Sequence, residues 1–236
     1  MRFKDSNVDA GCAGTSKTVR RRRGILITVA FLFVLLISAL SFLRTFPSFV
    51  RVEEPVISEH SLLMNENIFY RQTYNNCGPY SVMAAVNILR HEELDPENLS
   101  KEMGWRIIKN LTFPQGVVSL LHKYKIKTKE YVLWSKSDSE KASFLRGQIS
   151  HGTPVILLVN LHGVLHYVTL VGYDENGFML YDSMQEKLQE NLRFTIRDEK
   201  ARSGNRWLSD AELISLWNAG GVKFAFRNWC IVCSNL

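Results

Sequence analysis

The chain has 236 residues, of which 46 % are hydrophobic and 22 % charged. That balance fits one medium-sized folded domain with an appendage and excludes a disordered polymer. The net charge of +6 is concentrated at one end. Residues 1–23 hold seven Lys/Arg against Asp5 and Asp9, leaving 22 basic against 21 acidic residues for everything after, a near-neutral body that excludes nucleic acid as an expected partner.

The first element is a membrane segment. Ile25 to Leu43 (ILITVAFLFVLLISALSFL) carries no charge and only Thr28, Ser38 and Ser41 as polar interruptions. As a helix it would span roughly 28 Å, close to the hydrocarbon thickness of a bilayer. It is longer than the apolar core of a cleaved signal peptide and lacks the polar face of a core helix. Arg20 to Arg23 precede it, against Arg44 and Arg51 after it. The positive-inside tendency therefore predicts a cytoplasmic tail over 1–23, a signal anchor over 24–43, and all that follows on the periplasmic or extracellular side. Residues 44–62, with two prolines and mixed polarity, read as a stalk, and 63–236 as one α+β domain.

Within that domain the first half is predicted helical. Gly78 to Arg90 places Val82, Ala85, Val86 and Leu89 on one face, with Pro79 in the first turn where its missing N–H costs nothing. Asp95-Pro96-Glu97 starts a second short helix through about Met103, and Gln115 to Tyr124 makes a third. The second half reads as strands: Ile126–Leu133, the apolar run Pro154–Asn160, and His166–Tyr173 with Phe178–Asp182 flanking Asp174-Glu175-Asn176-Gly177. The Asn-Gly pair there signals a tight hairpin. Residues 184–206 are polar and charged and read as including a mobile loop. A late helix begins near Ser209, an N-cap residue. Helices first and an antiparallel sheet afterwards define an α+β fold.

Four cysteines are too few and too unevenly spaced for a disulfide framework. Cys230 and Cys233, close to the chain end, are expected to form a local disulfide or remain free thiols rather than act as a redox pair, and without nearby histidines they do not make a zinc site. The triplets at Asn98 and Asn110 match the glycosylation pattern only weakly. The five tryptophans are scattered and read chiefly as core.

Cys77 differs from these. It lies where an apolar helix is predicted to begin, and a helix N-terminus favours thiolate over thiol. Gly78 is expected to leave open space beside the sulfur. A thiolate nucleophile needs a base and a group to hold that base. Of six histidines, His60, His91, His122 and His151 have no carboxylate implied by local geometry, and His162 precedes the strand. His166 opens one strand of the predicted hairpin and Asp182 closes the other, which brings the two within side-chain reach.

On these residues a resemblance becomes specific. QTYNNCGPYSVMA (Gln72–Ala84) resembles the nucleophile motif of the bacteriocin-processing, double-glycine peptidases, cysteine peptidase family thirty-nine, within the papain-like superfamily. HYVTLVGYDENGFMLYDS resembles that family's histidine block followed by its aspartate. The resemblance implies a papain-like fold and a cysteine peptidase with Cys77 as nucleophile, His166 as base and acid, Asp182 orienting the histidine and Gln72 completing an oxyanion hole; the apolar span read above makes it membrane-anchored. One such donor is worth roughly 3–4 kcal/mol in the transition state. A peptide or protein is then the substrate, and no metal or organic cofactor is required. Double-glycine specificity does not carry over, because the transporter-linked members hold a cytoplasmic peptidase fused to an ATPase. Two rival expectations are a thiol acyltransferase using the same triad and a non-catalytic, membrane-tethered peptide-binding module.

Overall fold

The computed structural model describes residues 13–52, 57–107, 111–187 and 193–236, with side chains of the first helix described from Ile25 onward. Cys12 and Asn110 lie outside the described residues. The chain divides into two units, Met1–Leu43 and Arg44–Leu236.

The first unit is a single helix, α1 (Ala13–Phe42). Its stretch Ile25–Phe42 has a mean hydropathy of 2.8 and no part of it is buried in protein, so it is long and apolar enough to cross a membrane.

The second unit is α+β. Its chain order is β1 (His60–Ser61), a 3-10 turn at Glu66–Ile68, α2 (Cys77–Arg90), α3 (Pro96–Glu102), α4 (Pro114–Lys123), β2 (Ile126–Val132), α5 (Asp138–Ser150), β3 (Val155–Leu161), β4 (Val164–Tyr173), β5 (Gly177–Tyr181), β6 (Arg206–Ser209), α6 (Asp210–Asn218) and β7 (Trp229–Asn235). The strands form one sheet in the order β2-β7-β3-β4-β5-β6, with β1 pairing with β4. All the pairings are antiparallel.

Helix α2 is buried from Cys77 through Ile88, which is why its sequence is apolar nearly all round. It packs on β4 and on α3 and α4. Asp95 caps α3 by accepting the Glu97 N–H, and His91 closes α2 in the left-handed region at φ 55°. β3 and β4 join through His162 and Gly163, both at positive φ (52° and 84°), as a two-residue I′-type hairpin demands.

The β4–β5 hairpin forms where expected but not by the expected turn. Asn176 and Gly177 do not take positive φ; instead Asp174 Oδ1 accepts from the Asn176 and Gly177 N–H groups, each at 2.9 Å, an Asx turn. Glycine at 177 answers to crowding, since a Cβ there would lie 2.3 Å from the Leu208 carbonyl oxygen on β6.

Several expectations are corrected. The stretch read as a stalk is fastened to the sheet. Ser48 N–H donates to the Val132 carbonyl at 2.8 Å, Arg44 pairs with Glu130, and β1 aligns with Gly172 and Tyr173. Of the polar segment read as including a mobile loop, the described part is fastened at two points, because Arg206 begins β6 and Thr195 N–H donates to the Phe69 carbonyl at 2.8 Å. Cys230 and Cys233 are free, fully buried thiols on β7, one of the two states expected of them. Residues three apart on a strand point to opposite faces with Cα atoms roughly 10 Å apart, too far for a disulfide. Trp217 and Trp229 are core as expected, whereas Trp105 is 55 % exposed.

Candidate active site

Cys77 is the first residue of α2. Its neighbours are fixed before its chemistry is considered. Asn76 does not cap the helix with its side chain. Asn76 Nδ2 donates to Thr73 Oγ1 at 2.6 Å, and Asn76 Oδ1 accepts from Ser100 Oγ at 3.1 Å and Arg106 Nη2 at 2.5 Å. The start of α2 is thereby tied to α3 and to a guanidinium that feels the charge on Cys77. Gly78 does not open space beside the sulfur as expected. A Cβ there would meet Thr112 Cγ2 at 3.3 Å and Met103 Cε at 3.5 Å, so the glycine permits close packing.

His166 and Asp182 come together across the β4–β5 hairpin. Thr169 pairs with Tyr181, which sets Val168 opposite Asp182 and places His166 diagonal to the carboxylate on the same face. His166 Nε2 lies 2.8 Å from Asp182 Oδ1, and both side chains are fully buried. Nδ1 of the same ring is buried with no nitrogen or oxygen partner. With Nε2 donating to the carboxylate, Nδ1 is the atom left to face the sulfur, and each of Cys77 and His166 alters the proton affinity of the other.

Asp182 has further partners that sequence reasoning missed. Its Oδ1 also accepts from the Met184 N–H at 2.8 Å, and its Oδ2 from Arg206 Nη1 at 2.6 Å. Asn205 clasps its backbone twice, accepting from the Asp182 N–H and donating to the Asp182 carbonyl, both at 2.8 Å. The only sequence signal for these was their place just before a capped helix in a stretch otherwise read as loop. Gln72 is held by Ser183 through two hydrogen bonds. Gln72 N–H donates to the Ser183 carbonyl and Ser183 Oγ donates to Gln72 Oε1, each at 2.8 Å. The side-chain amide nitrogen is thus left to donate elsewhere.

Among the described residues, His166 is the histidine that acts on the sulfur. His122 meets Thr128 Oγ1 at 2.7 Å, His151 meets the Gly147 carbonyl at 2.6 Å, and His162 is exposed in the β3–β4 turn.

The electrostatics follow from this layout. Burial alone would raise the Cys77 thiol, but the hydrogen bond and charge of His166, with the backbone N–H groups of Tyr167 and Gly78, bring it below its usual 9.0. Burial alone would lower His166, but Asp182 and Cys77 override it and raise the ring from 6.5 to about 9. Asp182 would be raised by burial, yet His166 and Arg206 hold it well below the carboxylate range. Burial pushes Cys230 and Cys233 up instead. Cys77 is 8 % exposed, against none for Cys230 and Cys233, and it borders an apolar cleft of about 320 Å³. No group of three or more His, Cys, Asp or Glu side chains placed to hold a metal occurs among the described residues.

A pH prediction follows. Because only the thiolate alkylates, Cys77 should react with iodoacetamide with an inflection below pH 9.0, and His166→Ala should move that inflection upward, burial then acting with less opposition. Alkylation rates at Cys77, mapped by mass spectrometry to separate it from Cys12, check this. A wild-type inflection at or above 9.0 would contradict it.

Among solved structures the chain is similar to a double glycine motif protease from an AMS/PCAT transporter in complex with the leader peptide. It is 14 % identical over 80 % of this chain and 97 % of that one, at a TM-score of 0.46. It is also similar to the peptidase domain of Streptococcus ComA, a bifunctional ABC transporter involved in a quorum sensing pathway (14 %, 75 % and 100 %, TM-score 0.45). A Carica candamarcensis cysteine protease in complex with E-64 is a more distant likeness (14 %, 76 % and 99 %, TM-score 0.40). No curated protein matches the chain in sequence. The family description that does match, over residues 64–212, spans more than half of the chain and contains Gln72, Cys77, His166 and Asp182: the chain belongs to the Peptidase_C39 like family.

Proposed function

We propose that this protein is a membrane-anchored cysteine peptidase in which Cys77 attacks a peptide carbonyl. One arrangement carries the reading: a cysteine at a helix start, its thiol brought below 9.0 by His166, with that buried histidine's far nitrogen held 2.8 Å from a carboxylate. In this mechanism His166 carries the proton as imidazolium while Cys77 is thiolate, then delivers it to the leaving amine. The thioester left on Cys77 is hydrolysed by a water that His166 deprotonates. Asp182 does not take the proton; it keeps the ring in the tautomer that turns Nδ1 to the sulfur. The Gln72 amide, with the Cys77 N–H at the start of α2, stabilises the oxyanion of each tetrahedral intermediate.

The domain order proposed with it is a basic cytoplasmic tail over 1–23, an anchor over 24–43 and a peptidase body on the outer side. Support comes from the length and composition of Ile25–Phe42 and the arginines before it.

The test is to incubate the full chain in detergent micelles with a peptide library and sequence the products by mass spectrometry. The expected result is a set of new N- and C-termini made only by enzyme with Cys77 intact. Products that carry an added amine in place of a new carboxylate would move the reading to acyl transfer. Bound but uncut peptides, with an unreactive Cys77, would move it to a binding module.

A further inference from the structure

The cleft beside Cys77 says what kind of side chain the substrate brings, an inference that rests on the peptidase reading. Its floor is Leu158, Tyr167 and Phe226, all buried, with the Cys77 sulfur in the same wall. Its rims are Leu111, Val164 and Val222, which are 43 %, 47 % and 55 % exposed. The rings of Phe113 and Phe226 meet across it at 6.4 Å.

Both banks are shaped by their own backbone. On one, Phe113 N–H donates to the Trp105 carbonyl at 3.1 Å and Ile107 N–H to the Leu111 carbonyl at 3.0 Å. On the other, Val222 and Ala225 exchange backbone hydrogen bonds at 2.8 and 2.7 Å, within a segment where Gly221, Lys223, Phe226 and Asn228 all take positive φ. Left-handed backbone held at non-glycine positions costs energy and gathers at ligand sites.

The volume of about 320 Å³ would hold roughly ten waters at about 30 Å³ each. Apart from the Cys77 thiolate itself, none of the residues lining it carries a charge, and its other polar members are Asn75, Thr112 and the Tyr167 hydroxyl. The Thr112 carbonyl is already occupied by the Tyr167 hydroxyl at 2.9 Å. An acidic side chain entering here would lose its water and meet the thiolate, and a basic one would find only the thiolate that His166 already balances. A glycine would leave apolar walls wet beside the reacting bond. Gly163 at the rim has nothing within 4 Å of where a Cβ would stand, so the rim is open at that point.

We infer that this cleft is a specificity site for a bulky apolar side chain, leucine or larger, carried within two residues of the scissile carbonyl. Two residues of extended chain reach about 7 Å, which keeps that side chain at the wall that holds the sulfur. The protein is accordingly a peptidase for apolar segments and not for glycine pairs.

The experiment uses the full chain in micelles and two measurements. In the first, peptides of one frame differ only at the two residues on either side of the cut, set to Gly, Ala, Leu or Phe. At one of these positions Leu or Phe should exceed Gly in kcat/KM by at least about 10–200-fold, the scale of an apolar group in an apolar pocket. In the second, Cys77 is labelled with chloroacetamide and with its N-phenylalkyl derivative, and the ratio of rates should favour the phenylalkyl probe. Val164→Trp and Leu111→Trp, which fill the cleft from opposite rims, should each lower both preferences about tenfold. Equal or better cleavage of the glycine peptide overturns the inference, as does a labelling ratio that favours the small probe or is unmoved by both variants. If no peptide is cut while labelling still prefers the phenylalkyl probe and the variants abolish that preference, the cleft assignment stands and the peptidase reading falls.

Discussion

Cys77→Ala is expected to lower kcat for peptide cleavage by about 10⁶-fold, the scale seen when a covalent nucleophile is removed from a site whose other parts remain. Folding should survive, because the change removes one sulfur that borders a cleft, 8 % exposed, and leaves the helix start free of new bulk. The remaining thiols cannot substitute. Cys230 and Cys233 are fully buried on β7 and raised by that burial, so they are neither accessible nor ionised. Labelling by a thiol probe within the body should therefore vanish together with activity. A second readout concerns His166, which Cys77 helps to raise to about 9. With the sulfur gone, the ring should titrate lower, visible as a shifted imidazole resonance in an NMR titration. Hydrolysis that persists in the alanine variant would remove Cys77 from the mechanism.

How far the sequence disclosed this site depends on which contacts are local. The start of α2 was legible because Cys-Gly-Pro before an apolar run is a statement about a few adjacent residues. The His166–Asp182 pair was legible because a hairpin turns sequence distance into spatial contact at its ends. Even there the turn works through the Asp174 carboxylate and not through left-handed Asn-Gly. Asn205 and Arg206 escaped because their value lies wholly in partners on another strand. A polar segment whose groups are all satisfied looks, in sequence, like one that is merely solvated.

α5 and β7 escaped for different reasons. α5 begins with a capping box, Ser137 with Glu140, which was readable. Its buried face includes Lys141 and Ser143, however, so no apolar stripe announced it. Lys141 is accommodated by Asp138 Oδ1 at 3.1 Å and Asn218 Oδ1 at 2.6 Å, a solution that depends on α6. β7 lies between β2 and β3 and is buried on both faces from Trp229 to Cys233. A strand of that kind has no alternation to detect, and the Cys-x-x-Cys spacing drew attention to a redox question that the strand geometry dissolves.

Asp182→Asn tests the positioning role and should cost both rate and stability. Oδ1 of the aspartate accepts from His166 Nε2 and the Met184 N–H, and Oδ2 accepts from Arg206. An asparagine must turn its NH₂ toward donors in either orientation, so His166 loses its preferred tautomer or Arg206 loses its acceptor, and in both cases the anion is gone. A kcat loss of about 10⁴-fold is expected, with the inflection of Cys77 alkylation moving up as the imidazolium is no longer held. Uncompensated charge in a fully buried setting should also destabilise the fold by about 3–5 kcal/mol, or roughly 10 °C in Tm for a domain of this size. The pH dependence separates this from generic damage. Asp182 is depressed in the folded state, so it stabilises above the usual carboxylate range, near 4, and loses that effect as pH falls. His166 is raised from 6.5 to about 9, so its contribution is complete below 6.5 and fades as pH rises through about 9. The difference in Tm between wild type and Asp182→Asn should accordingly be widest between about pH 4 and 6.5 and narrow on both sides. A difference that stays constant from strong acid to pH 10 would mean that the carboxylate is structural filler and that the histidine is held by something else.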